Sequence, residues 1–270
     1  MMSVVYLNTF AEGAEVGRPE EISAQLLPGV ARTWKRSGAV VHYELYLMDT
    51  VRFKGVSKDF LIGDIGCAKI MLPMETEFTA LQSGQRPEQL LRHRIAAVVE
   101  DYDLEDEGNP VLVLNRKRAL DRLQQINEKR VVPGGQAYGV IQGMSHGGYY
   151  MNVGGYPARM PKFWYDWDTS RTGSVGEGFE VTVRDVRDGW LIVSRRNLLP
   201  NPLEQIQIQE GAKVRAKITH IYNGSFKAEI RPGVRIRIST PTMFHLLHVG
   251  DTVMAEVRGQ DREGFIGVVR

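Results

Sequence analysis

Gly147-Gly148-Tyr149-Tyr150-Met151-Asn152-Val153-Gly154-Gly155 and Arg187-Asp188-Gly189-Trp190-Leu191-Ile192-Val193-Ser194-Arg195 decide the fold. The second stretch has a counterpart at the end of the chain, Arg262-Glu263-Gly264-Phe265-Ile266-Gly267-Val268-Val269-Arg270. Both read basic, acidic, Gly, aromatic, then an apolar strand closing on Arg. Each copy follows a Gly-plus-acid turn and a strand, Gly176 to Val183 and Gly250 to Val257. Each unit also opens on an alternating strand, Ala137 to Ile141 and Val214 to Ile218. Two units of five short strands result. Alternation puts Ala137, Gly139 and Ile141 on one side and Tyr138 and Val140 on the other. The Gly147-Gly148 pair permits the sharp coiling that lets one long strand serve both sides of a small barrel.

A more divergent copy lies upstream. Val41 to Leu45 opens it, Phe60 to Gly66 and Ala68 to Pro73 follow, and Ile95 to Val99 and Val111 to Lys117 echo the closing strands. Ala119 to Ile126 carries apolar residues at helical spacing and stops before Pro133-Gly134-Gly135, while Leu199-Pro200-Asn201-Pro202 marks a second junction. The predicted layout is a helical extension over 1–37, with a candidate helix from Pro19 to Trp34 broken at Pro28-Gly29. A module over 38–118, a helical linker over 119–133, a module over 134–197, a linker over 198–210 and a module over 211–270 follow. The fold class is mainly β: three tandem, small, closed five-stranded barrels.

Composition agrees with a folded chain: 43% of the 270 residues are hydrophobic, which excludes an intrinsically disordered protein. The lone Cys67 excludes an internal disulfide framework and a Cys-rich zinc site, and its strand context predicts a packed, inert thiol. No apolar run approaches the roughly 18–20 residues of a membrane span, and the N-terminus lacks the pattern of a secretory signal. A reducing, cytoplasmic setting is expected, without membrane contact.

The second module, through Gly139-Val140, Gly147 to Gly155, Met160-Pro161, Val175-Gly176 and Leu191 to Arg195, resembles the S-one RNA-binding domain. That family is the repeated OB-type barrel of the largest protein of the bacterial small ribosomal subunit. The third module looks like a shortened member and the first like a distant one with longer loops. The resemblance implies an RNA face of aromatic and basic side chains on strands two and three and on the last hairpin. One of the family's strand-two aromatics falls on Tyr150 and the other on Gly147. The family's frequent His at the end of strand three is replaced by Pro161, and the basic residue of the last hairpin by Trp190. Half of the pattern is therefore missing.

Flat rings for base stacking and cations along the phosphate path are what sequence-tolerant binding of single strands requires. The expected stacking residues are Tyr149, Tyr150, Trp190 and its repeat counterpart Phe265, with His146 close by; for Tyr150 and Trp190 barrel packing or a module interface is the competing role. Phe163-Trp164-Tyr165-Asp166-Trp167 holds four rings in five residues. They cannot all enter one small core, so Phe163, Trp164, Tyr165 and Trp167 either stack on bases or glue this loop to a neighbouring module or partner chain.

Charge separates the modules. Residues 211–270 carry ten Lys+Arg against five Asp+Glu, residues 132–197 seven against six, and residues 38–118 ten against thirteen. In the third module Lys213, Arg215 and Lys217 alternate with Val214, Ala216 and Ile218, and Arg235 and Arg237 with Ile236 and Ile238. A basic wall on an apolar core is expected there, set for phosphate contact. In the first module the acidic run Glu100 to Glu107 occupies the position of the last hairpin, reads as a solvated loop, and opposes RNA binding.

Enzyme signatures are missing. His245 and His248, in His-Leu-Leu-His, make a weak metal signal, and there is no phosphate-cradling loop, Gly-x-Ser-x-Gly or paired-carboxylate motif. The expectation is a non-catalytic binder of single-stranded RNA, with no metal or cofactor. The rivals are a protein-interaction scaffold that has lost the RNA face and, more weakly, a single-stranded DNA binder.

Overall fold

The computed structural model describes residues 3–7, 11–13, 20–81, 86–105, 110–222, 225–239, 247–261 and 264–269. The chain divides into two compact units: Met1–Pro161 with Gly173–Ser194, and Lys162–Thr172 with Arg195–Arg270.

The first module comprises β1 (Ser3–Leu7), β2 (Glu20–Ile22), α1 (Leu27–Ser37), β3 (Val41–Glu44), β4 (Leu47–Phe53), β5 (Val56–Asp64), β6 (Lys69–Pro73), α2 (Thr76–Thr79), β7 (Arg94–Asp103) and β8 (Val111–Asn115). Its strands form an eight-stranded sheet in the order β2-β1-β3-β7-β8-β6-β5-β4 rather than a closed five-stranded barrel. The opening strand is broken at Leu45-Tyr46, so that β3 pairs with β7 at one end of the ring and β4 with β5 at the other. The break leaves its backbone satisfied: Tyr46 N–H donates to Ile62 O (2.9 Å), and Leu45 O accepts from Arg92 N–H (2.6 Å). The extension before residue 38 is not purely helical. β1 and β2 pair with each other and β1 joins β3, while α1 starts at Leu27 with Pro28 in its first turn, where proline's missing N–H costs nothing. Trp34 and Ala31 of α1 join a core of Leu45, Leu61, Ile70, Leu72, Ile95, Leu112 and Leu114.

Helix α3 (Arg116–Asn127) begins three residues before the predicted linker, capped by Asn115, whose side chain accepts from Arg118 N–H at 3.0 Å. Ala119, Leu120 and Leu123 pack on Val40, Ala96 and Val98. At its other flank the helix leaves no room beside Gly155 (φ +92°), where a Cβ would stand 2.8 Å from Leu120 O and Leu123 Cβ.

The second module, β9 (Gln136–Ser145), β10 (Gly148–Val153), β11 (Tyr156–Pro161), β12 (Gly178–Arg187) and β13 (Trp190–Ser194), is a closed barrel ordered β10-β11-β13-β12-β9. Ala137, Ile141, Met151, Ala158, Met160, Val181, Val183, Leu191 and Val193 are buried. Val140, expected on the opposite side from Ile141, is buried as well, because Ala11 packs on it. The third module repeats the topology with β14 (Lys213–Tyr222), β15 (Ser225–Arg231), β16 (Val234–Ser239), β17 (Thr252–Asp261) and β18 (Gly264–Val269), closed as β14-β15-β16-β18-β17. Its core holds Ala216, Ile218, Phe226, Ile236, Ile238, Val257 and Phe265.

Within the first unit the 11–13 segment ties the first module to the second. Glu12 is 1% exposed, and its carboxylate accepts from Arg116 (2.6 and 2.7 Å) and Ala96 N–H (3.2 Å) on one side and Gln142 (2.6 Å) on the other. Glu12 N–H donates to Asn152 Oδ1 at 2.9 Å. Burial alone would raise the Glu12 pKa, but the Arg116 charge and these hydrogen bonds outweigh it and hold it below the usual value.

Candidate nucleic-acid interface

On the second barrel, Tyr149 and Met151 point inward and Tyr150 points out, as a period of two demands. Tyr150 pairs across the sheet with Arg159 of β11. β11 runs parallel to β13, and the two-residue turn Asp188-Gly189 starts β13 at Trp190. Both turn residues have positive φ (51° and 77°), the conformation that matches a tight hairpin to strand twist. The three side chains converge. The Tyr150 and Trp190 rings meet edge to face at 6.1 Å, and the Arg159 guanidinium lies 4.4 Å from the Trp190 ring centre and 5.8 Å from that of Tyr150. Arg159 is exposed, Tyr150 is 42% exposed and Trp190 is half-buried. Rings and cation therefore sit on one solvent-facing surface, the composition that stacks bases and neutralises phosphate. The sequence reading found the two rings and missed Arg159.

Two of the expected stacking residues are core residues instead. Tyr149 is 5% exposed, and its hydroxyl oxygen accepts from Gly173 N–H at 3.1 Å. Phe265 is 2% exposed inside the third barrel. The hairpin register explains Phe265. Trp190 pairs with Arg187, whereas in the third barrel it is Gly264 that pairs with Asp261. Phe265 thus stands beside Ile236 as Leu191 stands beside Ala158. The counterpart of Trp190 is Gly264, and a slip of one residue turns the side chain to the opposite face. His146 is exposed in the turn between β9 and β10.

The aromatic run belongs to the second compact unit, although its sequence lies between β11 and β12. Tyr165 is buried under the Arg195 guanidinium (4.6 Å), Arg196 covers Trp167 (4.6 Å) and Phe163 (5.9 Å), and Trp167 Nε1–H donates to Leu199 O (3.2 Å). Phe163 meets Trp164 edge on at 5.3 Å, and the Trp167 backbone and Cβ abut Gly233 of the third barrel. Packing accounts for most of this run, and Phe163 alone of its rings is exposed (51%).

In the third barrel Lys213, Arg215, Lys217 and Arg237 are exposed and Arg235 half-buried, with Ala216, Ile218, Ile236 and Ile238 buried behind them. The wall is not purely basic. Glu229 lies between Lys217 and Arg235 in the cross-strand row, and Asp261 pairs with Arg237 at 3.3 Å. A β-bulge between Ile218 and His220 shifts the parity of β14, so His220 and Tyr222 also face outward. Their rings stack at 6.3 Å and 14°, with the Lys227 ammonium 5.6 Å from the Tyr222 ring centre. Lys227 pairs with Arg237 where Tyr150 pairs with Arg159, so both barrels carry a ring-and-cation cluster on the same face. Sequence reading missed His220, Tyr222 and Lys227.

The first module differs on the corresponding strands. Their outer face presents Phe60, Ile62, Met71 and Val113 as a buried apolar group. The acidic run is partly structured rather than a solvated loop. Glu100 and Asp101 lie in β7, Glu100 binding Arg118 (2.7 Å) and Asp101 binding Lys35 (2.9 Å) and Lys54 (2.5 Å). Burial would raise the Asp101 carboxyl, but the two ammonium groups prevail and hold its pKa down to about 2. Asp106 and Glu107 lie outside the described residues, as does His245. Cys67 is half-buried and burial pushes its thiol up. Among the described residues no cluster of three or more His, Cys, Asp or Glu could hold a metal ion, and no helix is long and apolar enough to cross a membrane.

No family model matches the chain, and no curated protein does. Among solved structures it is similar to the solution structure of GSP13 from Bacillus subtilis over 24% of its length, at 15% identity and a TM-score of 0.22. That match spans 57% of the GSP13 chain. It is also similar to a multidomain protein with nucleic acid binding domains from Streptococcus pneumoniae, over 86% of this chain and 73% of that one, at 8% identity and a TM-score of 0.22. Likenesses at that level establish neither a family nor a function.

Proposed function

We propose that the protein binds single-stranded RNA, without catalysis, through the outer faces of its second and third barrels. The observation that carries this reading is the Tyr150–Arg159–Trp190 cluster, two rings and a guanidinium held on one exposed surface. The Tyr222–His220–Lys227–Arg237 group at the matching place on the third barrel supports it. Exposed rings of this kind gain about 1–3 kcal/mol per stacked base with little regard to sequence. Lys213, Arg215 and Lys217 extend the attraction along the phosphate chain. The first module, acidic overall and apolar on the corresponding face, serves as a scaffold for the second barrel rather than as an RNA site.

The test is a titration of the full chain against labelled single-stranded RNA, single-stranded DNA and duplex at two salt concentrations. Preference for single strands, with affinity falling as salt rises, is the expected result. If most of the five cations Lys213, Arg215, Lys217, Arg235 and Arg237 make contact, they contribute a log–log salt slope of roughly −3. Equal affinity for duplex, or no binding at low salt, would return the chain to the scaffold reading. Equal affinity for DNA would widen the ligand class, since a stacking surface barely distinguishes the sugars.

A further inference from the structure

The Tyr150–Arg159–Trp190 surface is not an open plane. It forms one wall of a cleft of about 880 Å³, within the roughly 300–1,000 Å³ typical of small-ligand sites. The opposite side is supplied by the first module and α3, through His93, Arg94, Lys117, Leu120, Asp121 and Gln124. The Glu12 network and the packing of α3 against Gly155 fix the two walls to one another.

The lining has a definite chemistry. Among the described residues that line it, Lys117 and Arg159 stand with two carboxylates, Glu12 and Asp121, and Glu12 is already occupied by Arg116 and Gln142. Among the described residues neither Lys117 nor Arg159 has a carboxylate partner. Rings stand on one side and amides (Gln124 from α3, Gln142 from β9) on the others. A flat group that stacks, hydrogen-bonds at its edge and carries negative charge at one end satisfies all of these.

We infer that this cleft between α3 and the ring face of the second barrel binds a single nucleoside monophosphate unit, with its base on Tyr150 and Trp190 and its phosphate toward Lys117. The inference rests on the reading of that face as a nucleic-acid surface, and adds that the first module completes the site. The unit comes either from a free nucleotide or from an RNA strand, and competition separates the two.

The experiment is calorimetric titration of the full chain with adenosine 5′-monophosphate, repeated with an RNA oligonucleotide as competitor. One-to-one binding is expected. Tyr150→Ala weakens it about tenfold through the lost stack. Lys117→Glu, on an exposed helix position, weakens it about tenfold through the lost charged contact. Asp121→Lys tightens it several-fold, a gain that misfolding cannot produce. Displacement of the nucleotide by RNA identifies the strand as the source; failure to displace identifies the free nucleotide. Nucleotide binding that ignores both helix substitutions would overturn the cleft. So would RNA binding that depends on Tyr150 in a chain that takes up no nucleotide at millimolar concentration, and in that case the ring face itself survives. RNA binding indifferent to Tyr150 and Trp190 would instead remove the reading beneath it.

Discussion

Glu12→Ala removes a carboxylate that accepts four hydrogen bonds, two from Arg116 and one each from Gln142 and Ala96 N–H. The Arg116 guanidinium, whose side chain is 9% exposed, then keeps only the Thr79 carbonyl as a partner among the described residues. Breaking a buried pair by deleting one member costs about 3–5 kcal/mol, most of it the stranded charge. With a urea m-value of about 2 kcal/mol/M, the midpoint of the first unit falls by about 2 M. Urea unfolding by tryptophan fluorescence reads the shift, and native-state hydrogen exchange localises it to strands β7 and β9 rather than β14. The double variant Glu12→Leu/Arg116→Met recovers much of the loss, because no charge is left unpaired. The sign with pH follows from the depressed Glu12 pKa. Its contribution is present above the unfolded carboxylate value and fades as pH falls below it, so wild type and variant converge in acid. A midpoint change under 0.5 M at neutral pH, or an equal loss of protection in β14, would refute the role given to this latch.

Phe265→Ala is expected to cost about 3–5 kcal/mol of third-barrel stability, whereas Trp190→Ala leaves its barrel folded; thermal unfolding of each variant distinguishes core from surface. Gly155→Ala forces a Cβ against α3 at a positive φ, and a loss of about 2 kcal/mol or more in chemical unfolding is the expected outcome. Asp101→Asn leaves neutral stability lower by about 1 kcal/mol after allowance for solvent screening. That difference fades as pH falls from about 4 and is lost below about pH 2, as wild-type Asp101, with its pKa of about 2, itself becomes protonated; unfolding curves across that range check it.

Much of this was legible because alternation fixes faces. Lys213, Arg215 and Lys217 against Ala216 and Ile218 needed only a period of two. What escaped depends on pairing that no local pattern records. Arg159 gains its meaning from the parallel neighbour β13, which ring closure alone places beside β11. His220 and Tyr222 turned outward through a bulge, and bulges leave no mark in a hydrophobic pattern. Phe265 was assigned to the wrong face because matching Gly-aromatic pairs in the two hairpins sit one residue apart in register. The break at Leu45-Tyr46 lies inside a stretch whose apolar character is uninterrupted, so the open ring of the first module was equally invisible. The run from Phe163 to Trp167 announced packing or stacking but not its partners, Arg195, Arg196, Leu199 and Gly233, which are distant in sequence but belong to the same compact unit.

The central claim is that the Tyr150 and Trp190 rings of the second barrel hold bases. The most direct measurement is a titration of labelled single-stranded RNA with the full-length wild type, Tyr150→Ala and Trp190→Ala, each checked for native circular dichroism. The account predicts a loss of about 1–3 kcal/mol for each ring with the fold intact. Wild-type affinity in both folded variants would contradict it.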